Sequence, residues 1–119
     1  MFAQEEDAAT STFSPSGSFP GANRGMNTVT ALADGRALIA GGCAYRETCY
    51  DNYDNFASAE VWDPATETFG PTGSLAVIRI GHTATALPDG RVLVVGGMED
   101  YNLEGTVHAS AEVWEPSDG

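Results

Sequence analysis

Two loops hold most of the side chains in this chain that could do chemistry. Between Cys43 and Ala57 stand Tyr45, Arg46, Glu47, Tyr50, Asp51, Asn52, Tyr53, Asp54 and Asn55. Between Met98 and Ala109 stand Glu99, Asp100, Tyr101, Asn102 and Glu104. Tyrosine offers stacking area, and amides and carboxylates offer hydrogen bonds, so the mixture suits a sugar or a peptide. The same residue types are common in any solvated loop, and composition names no ligand. The run Asp51 to Asn55, DNYDN, is rich in the hard oxygens that Ca²⁺ takes, but it lacks the spacing and terminal glutamate of an EF-hand loop. Calcium is the one cofactor it suggests, and weakly; otherwise no cofactor and no metal site is expected. Cys43 and Cys49 enclose AYRET within the first loop. A disulfide there is the preferred reading, a staple of ~2 kcal/mol that implies an oxidising compartment. Two free thiols or a redox pair are the alternatives. There is no nucleophile elbow, phosphate loop or zinc signature.

Both loops leave from one recurrent device. ALPDGRVLVVGG, Ala86 to Gly97, reads as a strand end, a tight Asp-Gly turn and a four-residue apolar strand stopped by two glycines. ALADGRALIAGG, Ala31 to Gly42, repeats it 55 residues earlier. Self-similarity at such a period marks a propeller or another repeat array. Pro88, with φ near about −65°, disfavours a type I′ turn and favours a type I turn with Gly90 left-handed, closing a bulged three-residue hairpin. Ala33-Asp34-Gly35 is expected to do the same. Val92 to Val95 shows no alternation, as suits a strand covered on both faces. All four residues should then be buried, with Leu38 and Ile39 as counterparts; a single neighbouring sheet would leave alternate members exposed. Gly96 and Gly97 mark a bend or a close backbone approach.

Other blocks recur in the same order. TFSPSGSF (Thr12 to Phe19) resembles TFGPTGSL (Thr68 to Leu75). GMNTVTAL (Gly25 to Leu32) matches IGHTATAL (Ile80 to Leu87), with Arg24 matching Arg79. SAEVWDP (Ser58 to Pro64) matches SAEVWEP (Ser110 to Pro116). Loops absorb the drift in spacing, as in a repeat array. No window shows a 3.6-residue apolar period, and Gly, Pro and Thr punctuate throughout. The chain therefore reads as all-β, with strands A (Gly81 to Leu87), B (Arg91 to Gly97), C (Ser110 to Pro116) and D (Thr68 and Phe69) and their counterparts in the order D-ABCD-ABC: two four-stranded blades' worth in an incomplete ring. Its parts are a flexible acidic leader over 1–11, a first unit over 12–67 and a second over 68–119. His82 opens strand A where the first copy has Asn27, so a capping or inter-strand hydrogen bond accounts for both. His108 precedes strand C with no identifiable partner. Trp62 and Trp114 should occupy equivalent packing sites.

An A–B hairpin, a diglycine, a variable loop, an E-V-aromatic-acid-Pro segment and a short aromatic strand together resemble the Kelch repeat of β-propellers. The likeness covers about Thr12 to Pro116 and is closest to bacterial Kelch-like proteins and to the propeller of galactose oxidase-type enzymes. Tryptophan at 62 and 114 departs from the family's usual tyrosine, and Phe13 and Phe69 from its usual tryptophan; aromatic bulk is kept in each case. The resemblance implies a non-catalytic binding or scaffold module that presents acidic, tyrosine-bearing loops to a protein or glycan. The loop face would carry Tyr45, Arg46, Tyr50, Asp51, Tyr53, Asp54, Glu99, Asp100, Tyr101 and Asn102. The alternative is a piece of a copper-radical oxidase whose ligands lie on other blades. No catalytic residue is carried over, because neither histidine nor cysteine stands in a copper-ligand motif.

Charge narrows the partners. Seventeen acidic residues stand against five arginines, and the formal net charge is −12. Nucleic acid and anionic membrane both need basic patches, so neither is expected. No stretch is long and apolar enough to cross a membrane as a helix. The start, MFAQEEDAAT, lacks the basic and apolar regions of a signal peptide, while the paired cysteines favour an extracellular or periplasmic location. Two blades would leave apolar faces uncovered. The expected partners are thus the remaining blades of a longer propeller, the favoured reading, or further copies of this chain. Kelch-like propellers often have six or seven blades, and two per chain reaches only the even number, a trimer.

Overall fold

A computed structural model describes residues 11–16, 24–44, 55–100 and 107–116. The protein is all-β, with two open antiparallel sheets side by side, an incomplete propeller-like arrangement. The first sheet has four strands in the order β1 (Thr28–Ala31), β2 (Ala37–Ala40), β3 (Ala59–Asp63) and β4 (Thr68–Pro71). The second has three, β5 (Thr83–Ala86), β6 (Val92–Val95) and β7 (Ala111–Trp114). Among the described residues there is no helix.

The Asp-Gly turns form as their residues dictate. Gly35 and Gly90 have φ of 94° and 95°, a region open to glycine and costly for other residues. The amide of Leu32 donates to the Arg36 carbonyl and that of Gly35 to the Leu32 carbonyl; Leu87, Arg91 and Gly90 repeat both bonds. Each turn is clasped by its aspartate. Asp34 Oδ1 accepts from the Arg36 amide while Oδ2 pairs with Arg36 Nε at 2.8 Å, and Asp89 does the same with Arg91. The backbone amide two residues on holds each carboxyl below its usual range, with the arginine side chain adding to it.

The core lies between the sheets. Leu38, Ala40 and Ala59 from the first sheet meet Val92 and Val94 from the second, with Leu32 at the end of the hairpin. Trp114 packs against this cluster and donates from Nε1 to Thr72 Oγ1 at 3.0 Å. Polar contacts cross the same seam: the Gly42 amide donates to the Arg79 carbonyl, and the Gly81 amide to that of Met26.

Burial differs between β2 and β6. Leu38 and Ile39, on opposite faces of β2, are both buried. In β6, Val92 and Val94 are buried at 0% and 1% exposure, whereas Leu93 is half-buried and Val95 is 38% exposed. The expectation that all four are buried does not hold, because only one face of the second sheet is covered by the first. The expected front strand at Thr12 and Phe13 is also absent. Residues 11–16 form no strand and Phe13 is fully exposed, so the order among the described residues is ABCD-ABC. A lone strand needs an edge to pair with, and among the described residues no edge receives this one.

Trp62 and Trp114 hold the same register, opposite Ala37 and Val92, but only Trp114 joins the inter-sheet cluster. Trp114→Ala should therefore cost about 3 kcal/mol, the low end for a core tryptophan. Trp62→Ala should cost clearly less. Urea unfolding of the two variants checks the ranking; equal losses would mean that the seam gives Trp114 nothing extra.

Candidate binding face

The two variable loops spring from paired stems at one end of the sheets. In the first unit, isolated bridges join Gly25 to Cys43 and Cys43 to Asn55. In the second, Ile80 joins Met98 and Met98 joins Val107 at the equivalent positions. Cys43 and Ile80 are buried together, with Met98 packed against them. This apolar plate fixes where each loop leaves and returns. Asn55 ties the two stems: its side-chain Nδ2 donates to the Glu99 carbonyl at 2.7 Å. Glu99 and Asp100 are half-buried beside that contact. Tyr45, Arg46, Tyr50, Asp51, Tyr53, Asp54, Tyr101 and Asn102 lie outside the described residues. Cys43 is 2% exposed and is not a free thiol, and its expected partner Cys49 lies outside the described residues.

Arginines hold the stems to the strands. Arg79, 1% exposed, donates from Nη1 to the carbonyls of Gly96 and Ser110, from Nη2 to Ser110 Oγ, and from Nε to Glu112 Oε2. Arg24 repeats this with Gly41, Ser58 and Glu60, and stacks its guanidinium 4.2 Å from the Phe56 ring centre. The sequence carries the signal for this network, since an arginine recurs before each strand A and a Ser-Ala-Glu recurs in each strand C. Residue type alone does not say that the three meet. Arginine suits the position because one planar group can bond two carbonyls, a hydroxyl and a carboxylate at once.

Both histidines are spent on structure. His82 is 6% exposed and its Nε2 lies 2.8 Å from Thr28 Oγ1, across the seam, which agrees with an inter-strand bond. His108, for which the sequence suggests no partner, lies with Nε2 2.9 Å from the Ile78 carbonyl. Burial pushes the His82 imidazole below its ordinary value of 6.5, the Arg79 charge adds to that, and the carbonyls of Arg79 and Ala40 oppose it. The folded protein thus favours neutral His82. The unfolded chain binds the proton more readily, so this contribution is present above about pH 6.5 and is lost as pH falls toward the depressed folded value. Denaturant midpoints should therefore drop between pH 7 and pH 5, and His82→Asn, which installs the residue of the first unit, should flatten that slope. A slope unchanged by the substitution would assign the acid sensitivity to other groups.

Among the described residues, no group of three or more His, Cys, Asp and Glu side chains could hold a metal ion. Fold and stems together define an all-β segment of two similar sheets whose loop stems meet at a buried apolar plate. Compared with known families and with curated proteins, the chain matches no family model and no curated sequence.

Proposed function

We propose that this chain is a Kelch-type propeller segment serving as a non-catalytic binding or scaffold module, with a protein or glycan held by its two variable loops. The observation that carries this reading is the joined pair of loop stems. The Asn55 to Glu99 bond and the Cys43–Ile80–Met98 plate hold together the stems of two segments rich in tyrosine and acid. Loops positioned by such a scaffold are where binding surfaces concentrate. A Cys43–Cys49 disulfide would shorten the freedom of the first loop, and an extracellular or periplasmic location would keep it oxidised. Intact mass after alkylation under native, non-reducing conditions should show neither cysteine modified; two added groups would overturn the staple.

A glycan array and a peptide array probed with the purified chain test the function. Binding should appear on at least one, and the Tyr50→Ala, Tyr53→Ala, Tyr101→Ala triple variant should lower it at least tenfold. No binding on either array, or binding indifferent to the three tyrosines, would overturn the loop-face reading. Copper-dependent hydrogen peroxide formation from a sugar or aldehyde would overturn the non-catalytic one.

A further inference from the structure

Among the described residues the second sheet has one strand fewer than the first, and the chain holds a segment whose residues match the fourth strand. In the first sheet, β4 pairs with the outer edge of β3 in the register Asp63–Thr68, Trp62–Phe69, Val61–Gly70 and Glu60–Pro71. In the second sheet, β7 repeats β3 nearly residue for residue and, among the described residues, has no strand on its outer edge. Thr12-Phe13-Ser14-Pro15 repeats Thr68-Phe69-Gly70-Pro71, yet among the described residues it forms no strand or bridge, and Phe13 is fully exposed.

We infer that the front segment of one copy adds as the fourth strand to β7 of a second copy, joining chains head to tail. The register follows from the pair already formed: Thr12 opposite Glu115, Phe13 opposite Trp114, Ser14 opposite Val113 and Pro15 opposite Glu112. Two observations favour this occupant. A groove of about 320 Å³ between the sheets runs beside β7, lined by Glu112, Val113, Trp114 and Glu115, the four residues that the register uses, together with Leu38 and Ala59 of the first sheet and residues 72–75 after it. The open face of the second sheet carries Leu93, Val95 and Val113, the counterparts of Leu38, Ala40 and Val61, which pack at the seam within the chain. A strand addition of this kind gains backbone hydrogen bonds along the edge and pockets for alternate side chains. Because donor and acceptor are different surfaces, the contact is heterologous and repeats until it closes a ring or runs on.

The test uses two single variants of the full chain, Ser14→Cys and Val113→Cys, whose Cβ atoms would lie about 5 Å apart across the pair. Mixed in equal amounts and oxidised mildly, they should give a disulfide-linked dimer on a non-reducing gel, absent when either is oxidised alone. Native mass measurement of the unaltered chain should give a multiple of 12.4 kDa, and Phe13→Asp should return it to the mass of one chain. A monomeric unaltered chain at tens of micromolar (about tenfold above a moderate micromolar Kd) would overturn the inference. So would an assembly that ignores Phe13→Asp, or an absent cross-link in the mixture. Loss of ligand binding without loss of assembly would touch only the proposed function.

Discussion

Arg79→Ala is expected to cost about 3 kcal/mol or more, because it removes one partner of a buried ion pair and leaves the other uncompensated. The guanidinium bonds two carbonyls, a hydroxyl and a carboxylate, and its loss leaves the Gly96 and Ser110 carbonyls and Glu112 facing an empty space. Glu112 also accepts from the Ala76 amide at 2.7 Å, so the carboxylate stays anchored where its partner has gone. Against a total stability of about 5–15 kcal/mol for native domains, such a loss moves a chain of this size close to unfolding. Arg24→Ala should behave alike, since Arg24 and Glu60 are as enclosed, with side-chain exposures of 3% and 12%. Urea unfolding gives the values. The double variant Arg79→Met, Glu112→Met should lose less than the sum of its single variants, because it leaves no orphan charge. A loss under about 1 kcal/mol for Arg79→Ala would place the pair among surface salt bridges and remove it from the account of stability.

The strands were legible because each has a local cause. Alternating Thr, the Asp-Gly turns and the diglycine stops specify a hairpin within a dozen residues, and the hairpins form at Thr28–Ala40 and Thr83–Val95. What escaped the sequence is set by neighbours. Val95 is chemically like Val94 and differs only in having no sheet over it. Phe13 is the twin of Phe69, yet only Phe69 is paired, opposite Trp62. The arginine clasp escaped for a related reason, since Arg79 and Glu112 lie 33 residues apart and only the fold brings them to 3.1 Å. At the candidate face, the stems are explained by Asn55 and the Cys43 plate, while the ligand depends on side chains within the loops themselves.

The diglycines separate the seam inside the chain from the open face beyond it. Gly41, at φ 72°, has no room for a side chain: an added Cβ would lie 2.5 Å from the Arg79 carbonyl oxygen and 2.7 Å from His82 Cε1, both in the neighbouring unit. Gly96 is its counterpart at φ 75°, where an added Cβ would meet only the His108 carbonyl oxygen at 3.8 Å. Both alanine variants incur the left-handed strain of about 1–2 kcal/mol. Only Gly41→Ala must also force backbone apart, and its loss should reach about 4 kcal/mol, the range that marks a specific structural failure. Urea unfolding of the two variants reads the difference, and equal losses would mean that the sheets separate without cost at Gly41. Head-to-tail assembly adds a second consequence. If a further copy covers the open face as the second sheet covers the first, the Cβ of Gly96→Ala meets the Arg24 carbonyl of that copy. The variant should then stay folded as a single chain of 12.4 kDa while losing the ability to assemble. A Gly96→Ala chain that assembles like the unaltered one would show that its outer face is met in some other geometry.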